Sequence, residues 1–170
     1  KEKNIIADSA EFERAAFNFD NSAGRYGFLP QKGRVNLEGY LFPDTYSFDK
    51  SEPQKIIETM LDNFNRKVFF RFGSLDTDEL REVIIMASML EKEVQTEKDM
   101  KLVSGILWRR LEAGQALQVD AALVYLKCSL LNKENCRRLA NGDKNLKSDY
   151  NTYLNKGLPP RAISNPGLLA

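Results

Sequence analysis

An α+β fold dominated by helices, with a small β-sheet, is predicted by three features of this 170-residue sequence. Apolar residues recur at helical spacing from about residue 57 to residue 111. Capping residues stand just before those runs. An aromatic-rich stretch with turn residues at both ends lies between residues 35 and 48 and reads as extended.

The elements follow in order. Asp8 and Glu11 have capping-box spacing, so a short helix is predicted around Glu11–Phe17. Residues 21–32 contain Gly24, Gly27 and Pro30 and read as a loop. Residues 35–48 are expected to be extended, with a break near Pro43. Ser51-Glu52-Pro53-Gln54 reads as a helix cap with Gln54 at the third helical position. Ile57, Met60, Leu61, Phe64 and Val68 then keep helical spacing up to Gly73. Asp76 and Glu79 cap a second long helix carrying Leu80, Val83, Ile84, Ala87 and Leu90. Thr96 opens a third, with Met100, Val103, Leu107 and Leu111 inward and Gly114 as its stop. Residues 115–119 read as a short strand, and Asp120 as the cap of a short helix through Tyr125. Residues 127–149 are polar and loop-like, and Leu158-Pro159-Pro160 excludes regular structure.

Composition narrows the chemistry. The length fits one domain, or one with a small appendage. Apolar residues make up 42% and charged residues 29%, enough for an ordinary core. Lys plus Arg number 25 against 24 Asp plus Glu, so charge gives no reason to expect nucleic acid as a partner. Histidine is absent, which excludes a His-dependent triad, a Cys–His pair and His-ligated zinc within these residues. The two cysteines, Cys128 and Cys136, cannot form a zinc site alone; a local disulfide and two free thiols both remain open. No window of about 18 uncharged apolar residues is present. The apolar ending at Ala170 reads as a cut, so the chain is expected to be a fragment, truncated at both ends.

Glu91 is the most informative residue. At about 100° per residue, Leu80, Ile84, Ala87 and Glu91 share one side of their helix, flanked by Val83, Leu90 and Val94. Lys92 points the opposite way, and Glu93 lies on the margin, turned to solvent. A carboxyl set among apolar side chains resists ionising, which is how a protein keeps a carboxylic acid able to donate a proton near neutral pH. The ordinary alternative is a salt-bridged carboxylate at the edge of the stripe. Glu38, Tyr40 and Asp44 lie in the aromatic-rich segment, where ring faces beside polar groups suit sugar rings and also suit a core. Gln118 and Asp120 straddle Val119. Asn151-Thr152-Tyr153 and Gly157-Leu158-Pro159-Pro160 are rigid-loop sequences of the kind that line clefts. Glycosidases ordinarily use two carboxylates, but one acid suffices where the substrate carries its own nucleophile.

Four motifs occur here in one order: Leu37-Glu38-Gly39-Tyr40-Leu41-Phe42-Pro43-Asp44-Thr45-Tyr46; Ala87-Ser88-Met89-Leu90-Glu91-Lys92-Glu93; Leu117-Gln118-Val119-Asp120; and Tyr150-Asn151-Thr152-Tyr153 with Gly157-Leu158-Pro159-Pro160 and Asn165-Pro166-Gly167. Together they resemble the endolytic murein transglycosylases of the YceG-like family, over roughly residues 35–170. The resemblance implies a catalytic domain over 35–170 whose last strands are missing, preceded at 1–34 by a linker or the tail of a small LysM-like domain. It implies a bacterial enzyme anchored by one N-terminal transmembrane helix outside this chain, with the catalytic domain on the periplasmic face of the cytoplasmic membrane. Its substrate would be peptidoglycan glycan strands, its partners peptidoglycan synthases, and it would need no metal or cofactor.

By motif, Glu91 matches the family's catalytic glutamate. The implied reaction cuts the β-1,4 bond between N-acetylmuramic acid and N-acetylglucosamine, leaving a 1,6-anhydro end. Glu38, Tyr40, Gln118, Asp120, Asn151 and Tyr153 are the implied substrate contacts. The sequence departs from the family pattern at Ala121-Ala122, Asp149 and Arg161, where Pro-Thr, Pro and Gly are usual. These departures motivate a second reading, a glycan-binding or scaffolding module without catalysis. A third is a hydrolase that pairs Glu91 with Glu38 or Asp120.

Overall fold

The computed structural model describes residues 9–31, 33–48, 52–73 and 75–170. The predicted caps Asp8 and Ser51 lie outside them. Among the described residues helices dominate and the sheet has two strands, in keeping with the α+β expectation. The chain forms two compact units, residues 1–81 and 82–170.

In the first unit, α1 (Ser9–Phe17) leads into β1 (Phe19–Asp20), which pairs antiparallel with β2 (Arg34–Val35) in the register Phe19 to Val35 and Asp20 to Arg34. The loop between them is held by Asn21, whose side chain accepts from the Tyr26 N–H and donates to the Tyr26 and Pro30 carbonyls. α2 (Pro53–Phe64) begins with proline at its first turn; Glu52 occupies the cap without a side-chain bond. It buries Ile56, Ile57, Leu61, Asn63 and Phe64 and runs on into a π-helical turn, Asn65–Phe69. The core of this unit is aromatic. Phe28 lies 4.8 Å from Phe64, 5.4 Å from Phe69 and 5.6 Å from Tyr26 between ring centroids.

Residues 36–48 are not a strand. Gly39 has φ +98°, a left-handed conformation that glycine alone adopts without strain, and it turns the chain directly after Glu38. The aromatic residues here satisfy a core rather than a ladder: Tyr40, Leu41 and Phe42 are all buried.

α3 (Thr77–Glu93) starts with the predicted capping box. Asp76 Oδ1 accepts from the Glu79 N–H at 2.8 Å, and Glu79 Oε2 accepts from the Asp76 N–H at 3.0 Å. In the second unit, α4 (Glu97–Glu112) is capped by Thr96, which accepts from the Asp99 N–H. It ends as predicted at Gly114, φ +62°, whose N–H donates to the Leu111 carbonyl while the Gln115 N–H donates to that of Arg110. Residues 115–119 form one isolated bridge, Ala116 to Lys156, in place of the expected strand. α5 (Asp120–Tyr125) follows and runs into a second π-helical turn, Leu126–Leu130.

The core of the second unit gathers Ile85, Met86, Met89, Leu90, Leu107, Leu117, Val119 and Ile163. A disulfide joins Cys128 and Cys136. Beside it the buried Lys127 donates to Asp143 Oδ2 at 2.6 Å and to the Arg138 carbonyl at 2.8 Å. These ties hold a polar segment that has no apolar core of its own. No helix among the described residues is long and apolar enough to cross a membrane.

Candidate active site

Between Ile84 and Leu90, α3 is buried around most of its circumference, and this changes the surroundings of Glu91. Ile84, Ile85, Met86, Ser88, Met89 and Leu90 are all buried. Val83 is 38% exposed, while Ala87 and Glu91 are half-buried. These three residues stand four apart, on one strip of the helix. Of the expected apolar stripe, Leu80 and Ile84 are buried while Ala87 and Glu91 are half-buried, and core residues cover the opposite side of the helix as well. Glu91 is half-buried in the last turn of α3.

The head has a fixed partner. Glu91 Oε2 accepts a hydrogen bond from the backbone N–H of Gly167 at 3.2 Å. Gly167 is brought there by Ser88, one turn earlier on α3. The Ser88 hydroxyl donates to the Ile85 carbonyl at 2.7 Å and accepts from the Ile163 N–H at 3.0 Å, and the Ser88 carbonyl accepts from the Ser164 hydroxyl at 3.0 Å. All these Ser88 contacts are buried, so each replaces a bond to water that the interior does not offer.

The neighbouring Glu93, expected to face solvent, is exposed but engaged. Its Oε1 accepts from the Ala121 N–H at 2.8 Å, supplying an acceptor to the first turn of α5. Asp120 is thereby released from the capping role predicted for it: Val119 occupies the cap position, and Asp120 is the first helical residue. Asp120 Oδ1 instead accepts from the Tyr153 hydroxyl at 2.5 Å. Burial, followed by this bond to a carboxylate, pushes the Tyr153 phenol up to about 12. Lys144 Nζ stands 4.6 Å from the centre of the Tyr153 ring.

Gln118 is exposed and has φ +57°, a strained conformation for a residue with a Cβ. Thr152 holds it there. The Thr152 carbonyl accepts from the Gln118 N–H at 2.9 Å, and the Thr152 hydroxyl both accepts from the Val119 N–H and donates to the Val119 carbonyl. Asn151 is fully buried. Its amide donates to the Lys144 and Leu146 carbonyls, and its oxygen accepts from the Tyr153 N–H at 2.9 Å. Asn151 thus shapes the loop that presents Tyr153 and offers no surface of its own.

The second unit therefore brings Gln118, Asp120, Asn151 and Tyr153 into one hydrogen-bonded arrangement, and Glu93 links it to the helix that carries Glu91. Glu38 and Tyr40 belong to the first unit. Glu38 is half-buried on the turn before Gly39, its N–H donating to Asn36 Oδ1 at 2.8 Å. Tyr40 packs 5.5 Å from Phe64 and 6.0 Å from Phe28. Burial raises the pKa of its phenol. Sequence reasoning missed Ser88, Gly167 and the capping role of Glu93. For Ser88 a signal existed: a hydroxyl set in the apolar run from Val83 to Leu90 needs partners once that run is buried.

A model of the YceG-like family matches residues 2–170. An endolytic murein transglycosylase of Streptococcus pneumoniae strain R6 is 33% identical over 146 residues, covering 82% of this chain and 26% of that protein. The protein of the same name from Bacillus subtilis strain 168 is 31% identical over 136 residues, covering 78% and 36%. The chain thus spans about a quarter to a third of the length of these relatives. A crystal structure of a YceG-like protein from Listeria monocytogenes superposes with a TM-score of 0.73 at 26% identity, over 95% of this chain and 55% of that one. Matched almost end to end by the family model, and with the four motifs in order, the chain belongs to the YceG-like family.

Proposed function

We propose that this chain is the catalytic part of an endolytic murein transglycosylase and that Glu91 is its acid and base. The observation that carries the reading is the setting of Glu91: one half-buried carboxyl in the last turn of α3, oriented by the Gly167 amide. Protonated, Glu91 gives its proton to the glycosidic oxygen between N-acetylmuramic acid and N-acetylglucosamine as the bond from C1 to that oxygen breaks. The resulting carboxylate takes the proton of the muramoyl 6-hydroxyl, whose oxygen bonds to C1 and closes the 1,6-anhydro ring. An internal nucleophile held near C1 replaces a bimolecular attack by water. The Gly167 N–H supports this cycle by holding the carboxyl in one orientation through both proton transfers.

Gln118 and the Tyr153–Asp120 pair contact the glycan, with Asn151 acting from within the loop. Glu38 is a further glycan contact on the first unit, with Tyr40 supporting its turn from the core. With its hydroxyl bond from Tyr153, Asp120 is a positioning group rather than the second carboxylate of a hydrolase. In the whole protein, residues 35–170 form the catalytic domain, and the residues before them, which pack with it through Phe19, Tyr26 and Phe28, are the tail of a LysM-like domain rather than a linker. An N-terminal helix anchors it to the cytoplasmic membrane, where it releases or terminates strands made by peptidoglycan synthases. The test is Glu91→Gln, which keeps the shape and removes the transferable proton. Mass spectrometry of glycan strands incubated with the variant is expected to find no new anhydro ends. Parent-rate production of such ends overturns the assignment.

A further inference from the structure

The first unit contains a cleft of about 410 Å³ to which the transglycosylase reading gives no role, lined by Asp44, Thr45, Tyr46, Thr59, Asp62, Asn63 and Arg66. From its geometry we infer that it is a saccharide-binding subsite for neutral pyranose rings. The size lies within the range of small-ligand sites.

The cleft is built around one buried amide. Asn63 is 5% exposed, and its Nδ2 donates to Asp44 Oδ2 and to the Tyr46 hydroxyl oxygen, each at 2.9 Å. Its Oδ1 accepts from Arg66 at 2.8 Å. A polar residue on the inner face of α2 weakens the core unless it is satisfied, and here its partners are three walls of the cleft. The Tyr46 hydroxyl also donates to the Phe42 carbonyl at 2.6 Å, so it is held by two partners.

Charge selects the class of ligand. Asp44 is paired with Lys67 at 2.6 Å, and Asp62 with Arg25 at 3.4 Å and the Tyr26 hydroxyl at 3.0 Å. An ionic ligand must compete with those pairs. A neutral polyol need not: a carboxylate has about four acceptor positions and a guanidinium five donors, more than these contacts use. Hydroxyl groups can give to Asp44 and receive from Arg66 without breaking a bond already made.

The third feature is an apolar face. Tyr46 and Phe48 stack at 5.6 Å with 21° between their planes. A pyranose ring presents hydroxyls at its rim and C–H bonds on its face, and an aromatic wall beside a carboxylate and an arginine matches both. The assignment goes beyond the reading of Glu91 and does not depend on it.

The experiment is a titration of the isotopically labelled chain with tetra-N-acetylchitotetraose, a neutral β-1,4 saccharide, followed by amide NMR. The resonances of Thr45, Tyr46, Thr59, Asn63 and Arg66 are expected to shift saturably. Arg66→Ala, which removes an exposed side chain and with it one partner of Asn63 Oδ1, should weaken binding about tenfold, with circular dichroism showing the fold retained. Tyr46→Leu should weaken it as well; if that variant fails to fold, Arg66→Ala decides alone. Resonances that stay in place, or an Arg66→Ala variant that binds like the parent, overturn the proposal. So does a response to an acidic peptide without one to the saccharide. A parent chain that yields no anhydro ends would sink the reading of Glu91 and leave this titration unaffected.

Discussion

The backbone N–H of Gly167 donates to Glu91 Oε2 at 3.2 Å, joining two residues 76 positions apart. A donor fixed to one carboxyl oxygen orients the group and leaves the other oxygen to meet a substrate. Gly167 separates orientation from sterics. A Cβ built on it meets Glu91 Oε2 at 3.8 Å, an ordinary contact. Gly167→Ala should therefore turn over like the parent, whereas Gly167→Pro, which deletes the N–H, should lower turnover by about tenfold to a hundredfold. Steady-state rates of both variants, with circular dichroism to check folding, make the comparison.

Ser88 is the anchor that brings the segment before Gly167 to α3. Ser88→Ala leaves the Ile163 N–H buried without a partner and should cost about 1–3 kcal/mol of stability, read from urea unfolding. If the same segment positions Glu91, Ser88→Ala also lowers kcat with KM little changed. A purely structural role would alter stability and leave kcat in place.

Asp44 sets an acid limit in the first unit. The hydrogen bond from Lys67, then that from Asn63, hold its carboxyl at about 2. Its folded value lies below the unfolded one, so the stabilisation is complete above the ordinary carboxylate range and is lost as pH falls toward 2. The difference in urea midpoint between the parent and Asp44→Asn should be largest near pH 6 and shrink steadily on acidification. A pH-independent difference would contradict this.

Tyr153 makes the opposite prediction at the alkaline end. With its phenol raised to about 12, the folded state holds the proton more tightly than the unfolded state does. The contribution is present below about pH 10 and lost as pH approaches 12. Absorbance titration of the parent against Tyr153→Phe should assign one late-ionising tyrosine to this position. In Asp120→Asn that tyrosine should ionise earlier, because the carboxylate no longer opposes phenolate formation.

The Cys128–Cys136 bond closes a short loop next to the Lys127–Asp143 pair. Reduction, or Cys128→Ser with Cys136→Ser, should destabilise the second unit by roughly 2–3 kcal/mol on loop-closure entropy. Melting curves with and without reductant measure it.

What could be read in the sequence was local. The Asp76–Glu79 box, the Thr96 cap and the Gly114 stop depend on residues within one turn of one another, and each occurs as expected. The helical fold class follows from them and from the apolar spacing. Residues 36–48 misled because aromatic enrichment marks a surface that wants burial, and a turned loop can bury it as well as a strand. The stripe on α3 misled for a related reason: periodicity finds one apolar side and cannot reveal that the opposite side is covered too. The links Gly167 to Glu91, Ile163 to Ser88 and Ala121 to Glu93 run 76, 75 and 28 positions through backbone donors. A backbone N–H carries no residue identity, so such partners leave no trace in a pattern of side chains.

The central claim is that the sugar attacks itself while Glu91 carries the proton. Digestion of glycan strands by this chain in water enriched in oxygen-18, followed by mass spectrometry of the new ends, tests it most directly. The expected products are 1,6-anhydro ends that lack the mass of one water and contain no heavy oxygen. Reducing ends carrying oxygen-18 would show that water was the nucleophile and would contradict it.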